Sequence, residues 1–129
     1  MKSSLLNINE CDIFKGLSSE ETFELLQVNN YRIKKYKKDT IIMFQGDRYD
    51  DLLIVTEGLV STGISDPGGK RVILEQFNKY AIIAPGIIFA SANFLPVTIT
   101  ADSDCSLLLL PKAGVINILH HNRLCLQNY

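Results

Sequence analysis

Polar and apolar residues alternate with two different periods along the chain, and the change of period divides it. From Ser18 to Asn30 the spacing is helical, with Phe23, Leu25 and Leu26 forming an apolar stripe. Ser18 stands where an N-cap would, and Glu21 three residues on completes a capping box. Glu20, Glu21 and Glu24 put negative charge where the helix dipole favours it, and Asn29-Asn30 closes the helix. From Tyr31 the period becomes that of a strand. Tyr31–Lys38 interleaves Arg32, Lys34, Lys35, Lys37 and Lys38 with aromatic and aliphatic residues, which reads as a solvated edge strand guarded by lysine. Asp39–Phe44 is a short apolar strand turned by Gln45-Gly46-Asp47. Leu52–Thr56, Leu59–Ser65 and Lys70–Phe77 follow as three strands of a meander, joined by Glu57-Gly58 and Asp66-Pro67-Gly68-Gly69. Val97–Thr100 and Ser106–Leu110 flank Asp102-Ser103-Asp104 and read as a further hairpin. Pro111 then opens a helix at its first position, with Val115, Ile116, Ile118 and Leu119 as apolar positions. A helical pattern restarts near Asn122 and runs to Tyr129.

Many short strands at close spacing imply a mainly β sandwich or barrel with flanking helices. The 129 residues suit one ordinary domain. Lys plus Arg number 13 against 14 for Asp plus Glu, a net charge of −1. That balance provides no global positive field for a nucleic-acid backbone. Cys11, Cys105 and Cys125 are odd in number and far apart, so they read as reduced thiols rather than a disulfide framework or a zinc ribbon. The N-terminus lacks the apolar core of a secretory signal. From Tyr80 to Ala101 there is no Lys, Arg, Asp or Glu, a length that would cross a bilayer as one helix. Pro85-Gly86 and Pro96 interrupt it, and isoleucine and threonine crowd its second half. A folded-back segment inside the protein core is the better reading.

Catalysis has no constellation here. The histidines, His120 and His121, lie outside the expected strands, so a metal-dependent jelly-roll enzyme lacks ligands and a nucleophilic hydrolase lacks its base. Adjacent helical histidines diverge by about 100° and chelate poorly. No metal and no cofactor is expected, and a four-cysteine iron–sulfur site cannot be assembled from three thiols.

Gln45-Gly46-Asp47, then Leu52-Leu53-Ile54-Val55-Thr56-Glu57-Gly58-Leu59-Val60, then Asp66-Pro67-Gly68-Gly69-Lys70 form an ordered set. With it the chain resembles the effector-binding domain of the Crp/Fnr family of transcription regulators. The resemblance implies a cyclic-nucleotide-binding-like β-roll, a double-stranded β-helix or jelly roll with flanking helices. It also implies an organisation in which 1–120 is an effector-sensing domain and 121–129 begins a C-terminal dimerisation helix. DNA would then be bound only through a helix-turn-helix domain absent from these residues, by a cytoplasmic homodimer with no membrane contact. In nucleotide-binding members a glutamate holds the ribose and an arginine neutralises the phosphate. Aligned here, Pro85 takes the place of the glutamate and Leu95 that of the arginine. Cyclic AMP is therefore not the expected effector. The implied ligand-binding residues are Ala84, Pro85, Gly86, Ile87, Phe89, Phe94, Leu95, Pro96 and Val97, an apolar set suited to a small hydrophobic effector. The same residues could instead be packed core, making the chain a ligand-free interaction or dimerisation module.

Overall fold

The computed structural model describes Leu5 and residues 7–129; the segment read as lacking a secretory signal lies partly outside them. Two single-turn 3-10 helices, Ile8–Glu10 and Asp12–Phe14, precede α1, Ser19–Gln27. The capping box at α1 forms in both directions. Glu21 N donates to Ser18 Oγ at 3.0 Å, and Ser18 N donates to the Glu21 carboxylate at 3.0 Å. That contact holds the Glu21 carboxyl below the usual carboxylate range. Ser18→Ala is expected to cost about 1 kcal/mol, read as a lower urea midpoint; an unchanged midpoint would dismiss the cap.

Eight strands follow: β1 Arg32–Tyr36, β2 Ile41–Met43, β3 Asp51–Glu57, β4 Val60–Ser65, β5 Arg71–Phe77, β6 Ile82–Ile83, β7 Thr98–Ala101 and β8 Cys105–Pro111. They form two antiparallel sheets with the orders β1-β8-β3-β6 and β2-β7-β4-β5. This is the mainly β roll expected from the sequence. β1 is an edge strand, as its lysines imply.

Two expected connections are corrected. β3 does not continue into a meander with β4, and β7 and β8 do not form a hairpin, because each pair is divided between the two sheets. Glu57-Gly58 and Asp102-Ser103-Asp104 are crossings, not hairpin turns. They pack on each other: Asp102 N donates to Leu59 O at 2.9 Å, and Leu59 N donates to Ser103 Oγ at 2.9 Å. The β4–β5 hairpin is real. Asp66 closes it by accepting from Gly69 N at 2.9 Å on its carbonyl and from Lys70 N at 2.7 Å on its carboxylate.

The continuous apolar runs of β3 and β8 are buried on both faces, since α2, Lys112–His121, packs on the side away from the second sheet. Each leucine so buried contributes roughly 1.5–3 kcal/mol. Pro111 ends β8 and serves as the N-cap residue of α2 rather than its first helical residue. Its ring cannot donate, which suits the end of the strand. Val115 and Ile118 face the core, whereas Ile116 is exposed. α3, Arg123–Asn128, restarts after Asn122, whose side chain accepts from Cys125 N at 3.0 Å. No helix among the described residues is long and apolar enough to cross a membrane.

Candidate functional site

The charge-free segment leaves β6 through Ala84, a non-glycine residue at φ +47°. It forms hydrogen-bonded turns rather than a regular helix, Ile87 N donating to Ala84 O at 3.1 Å and Ala90 N to Ile87 O at 3.0 Å. Proline at 85 and glycine at 86 disfavour a longer helix here. The segment returns by interlocking with the Gln45-Gly46-Asp47 turn. Leu95 N donates to Asp47 O and Gly46 N donates to Leu95 O, both at 2.8 Å. Gly46 sits at φ +93°, a conformation in which glycine is favoured.

The nine residues singled out in the sequence occupy different surroundings. Leu95 is 2% exposed. Ala84, Ile87 and Val97 are half-buried, and Pro85, Gly86, Phe89, Phe94 and Pro96 are exposed. Pro85 borders a cleft of about 560 Å³ between β5, the first 3-10 turns and the C-terminal residues. Phe89 borders a separate groove of about 330 Å³ with Ile116, Leu119 and Leu126. Three cations lie over aromatic rings of the segment: Lys79 is 5.2 Å from the Tyr80 centroid, Arg48 is 5.9 Å from that of Phe94 and Lys112 is 5.9 Å from that of Phe89. Arg48 is shared with Asp50 at 3.4 Å.

Asn93, a polar handle of the segment, is committed to structure. Its side-chain amide donates to Asp50 Oδ1 at 2.8 Å and to Tyr49 O at 3.4 Å, while its backbone carbonyl accepts from Tyr49 N at 2.7 Å. The residue that sequence reasoning missed is Tyr49. It is fully buried, its hydroxyl donates to Ile83 O and accepts from Leu53 N at 3.1 Å. One phenol thus joins β3, β6 and the start of the segment, and burial raises its pKa. No pattern in the sequence marks a lone tyrosine before Asp50-Asp51 for this role.

The segment also touches the C-terminal helix. Tyr129 donates its hydroxyl to Pro85 O and packs edge-to-face on Phe89, centroids 5.6 Å apart at 71°. α3 is also held by Asn128, whose side-chain amide donates to Ile13 O at 3.2 Å and to Lys15 O at 2.8 Å. Pro85 and Phe89 are therefore in direct contact with Tyr129, the residue that follows α3.

The three cysteines are buried thiols. Burial pushes Cys11 up to about 12, so it stays neutral at physiological pH. His120 and His121 end α2 with rings at 80° to one another. Among the described residues no three His, Cys, Asp or Glu side chains gather as a metal site would require.

Comparison with known proteins follows the same outline. A family model described as a cyclic nucleotide-binding domain matches residues 33–122. A transcriptional regulator from Thermotoga maritima is similar in structure, with 28% sequence identity, a TM-score of 0.74, and 82% of this chain and 81% of that chain covered. The sensor domain of the transcriptional regulator DNR from Pseudomonas aeruginosa superposes with a TM-score of 0.79 at 20% identity, covering 93% and 79%. The catabolite activator protein of Thermus thermophilus gives 0.77 at 21% identity. There the chain covers 91% of itself and 54% of the activator, about half the length of that protein. A search among curated protein sequences found no match.

Proposed function

Because the chain belongs to the cyclic nucleotide-binding domain family, we propose that it is the effector-sensing module of a Crp/Fnr-like transcription regulator that does not respond to cyclic AMP. The observation that carries the sensing role is the contact of Tyr129 with Pro85 and Phe89. It connects the segment equivalent to the family's ligand loop to the helix that would transmit the signal. A ligand moves such an equilibrium only by binding one arrangement better than another, and this contact supplies a place where two arrangements would differ.

The choice against cyclic nucleotides rests on charge. A buried phosphate monoanion needs a cation or several N–H donors to offset its lost hydration. Leu95, buried within the roll, offers neither, and Pro85 cannot hold a ribose hydroxyl as a glutamate would. Apolar surfaces at Ile87, Phe89 and Val97 favour a small hydrophobic effector. In this reading the module is not an enzyme and works in the cytoplasm. DNA is bound by another domain of a homodimeric regulator.

Titration calorimetry with cyclic AMP and cyclic GMP is expected to show no binding at physiological concentrations. Micromolar affinity for either would overturn the assignment. The competing reading, a ligand-free interaction or dimerisation module, draws on the exposed apolar groove of Phe89, Ile116 and Leu126. Native mass spectrometry against a metabolite library separates the two. A retained small molecule that alters hydrogen exchange in α3 supports the sensor. Retention of nothing, with self-association through that groove, supports the module.

A further inference from the structure

The second sheet carries a groove that is lined by none of residues 84–97. Along β4 and β7, Val60, Ile99 and Ala101 point into the core. Their neighbours Ser61, paired with Thr100, and Gly63, paired with Thr98, therefore face outward. On this outward side Ile41, Phe44, Thr98, Thr100 and Arg71 border a cavity of about 410 Å³. Its apolar walls are open to solvent, with Ile41 43% and Phe44 58% exposed.

The guanidinium in this groove is held in place. Arg71 lies opposite Ser65, yet its side chain runs back along β4 and donates from Nη2 to Ser61 Oγ at 2.6 Å. Gly63 leaves that course open. A Cβ there would stand 3.4 Å from Arg71 Nε and 2.6 Å from the Val72 carbonyl oxygen. Ser61 Oγ in turn donates to Asp102 Oδ1 at 2.9 Å, and the Gln76 side-chain amide donates to the second oxygen of that carboxylate at 3.4 Å. Arg71 thus leans on a hydroxyl. Among the described residues no carboxylate forms an ion pair with it, and most of its five donors have no protein acceptor. Asp39 borders the groove from the β2 side and disfavours a ligand with a second negative charge.

A fixed guanidinium with free donors, next to exposed aliphatic and aromatic walls, matches one kind of molecule. We propose that this outward groove binds an amphipathic monocarboxylate, its carboxylate on Arg71 and its hydrocarbon on Ile41 and Phe44. The site is separate from the effector segment and does not depend on what that segment senses.

Octanoate is the probe, and 1-octanol is its uncharged match. Titration of isotopically labelled protein with octanoate should shift the amide resonances of Gly63, Ile64, Thr98 and Thr100. 1-Octanol should bind at least roughly tenfold more weakly, since a hydrogen bond to a charged group accounts for that factor or more. Arg71→Gln should weaken octanoate by the same factor, while Lys70→Gln, a neighbouring cation outside the groove, should change it less than about twofold. Equal affinity for octanoate and octanol would overturn the site, and that comparison needs no variant. So would unchanged affinity in Arg71→Gln, or shifts confined to residues 84–97 or to the Phe89–Leu126 groove.

Discussion

Gly58→Ala is expected to destabilise the protein by roughly 2–5 kcal/mol, among the largest effects of any single methyl group in this chain. Two costs combine at this position. Gly58 has φ +85°, where an L side chain costs about 1–2 kcal/mol. An added Cβ would also stand 2.8 Å from Cys105 Cβ and 2.9 Å from Cys105 Cα, and closer still to the Asp104 carbonyl. Most of these are backbone or near-backbone atoms, so no rotamer change relieves them. Gly46→Ala is the matched control. Gly46 has a similar φ of +93° but nothing within 4 Å of an added Cβ, so it should lose only the conformational part. Urea unfolding of both variants isolates the collision between crossings as their difference. A Gly58→Ala loss no larger than that of Gly46→Ala would mean that the backbone at Asp104 and Cys105 gives way to the added methyl group.

Tyr49→Ala should cost roughly 3–5 kcal/mol, the usual range for removing a large buried aromatic side chain. The informative partner is Tyr49→Phe, which keeps the ring and removes one oxygen. It leaves Ile83 O and Leu53 N without the hydroxyl, and each buried orphan costs about 1–3 kcal/mol. The loss should also be local. Hydrogen exchange in Tyr49→Phe is expected to quicken first in β6 and the turns after it, before global unfolding. Exchange that quickens evenly across both sheets would show that Tyr49 supports the core in general and not the segment in particular.

The helix α1 and its cap were legible because the signals are local: a serine, a glutamate three residues on, and an apolar stripe. The strands were legible for the same reason, except β6, whose two residues Ile82–Ile83 lie in the charge-free stretch and are too few to show a period. Partnership between strands was not. Glu57-Gly58 and Asp102-Ser103-Asp104 have the composition of hairpin turns, and a tight turn does not encode which sheet the next strand joins. Asp66-Pro67-Gly68-Gly69 has a similar composition and does form a hairpin. The difference lies in long-range contacts, such as that of Leu59 with Ser103, which no window of sequence contains. In the candidate site, the losses at Pro85 and Leu95 could be read by position. The burial of Leu95 and the contact between Tyr129 and Pro85 could not, because they depend on how α3 and the Gln45–Asp47 turn come to rest against the segment. Arg71 read as the start of a strand. Its course across Gly63 to Ser61 needs the register of β4 and β5.

The pairing of β1 with β8, Arg32 opposite Leu109, has a kinetic side. The first strand of the roll waits for the last, so the first sheet is incomplete until nearly the whole domain has emerged and collapsed. Such distant partners must overcome the entropy of a long closed loop before any ladder bond rewards it. Refolding should accordingly run on the millisecond-to-second scale of non-local β proteins. A nascent chain halted before β8 would expose the apolar strand β3 with no neighbour on that side, the stage at which a holding chaperone would matter most.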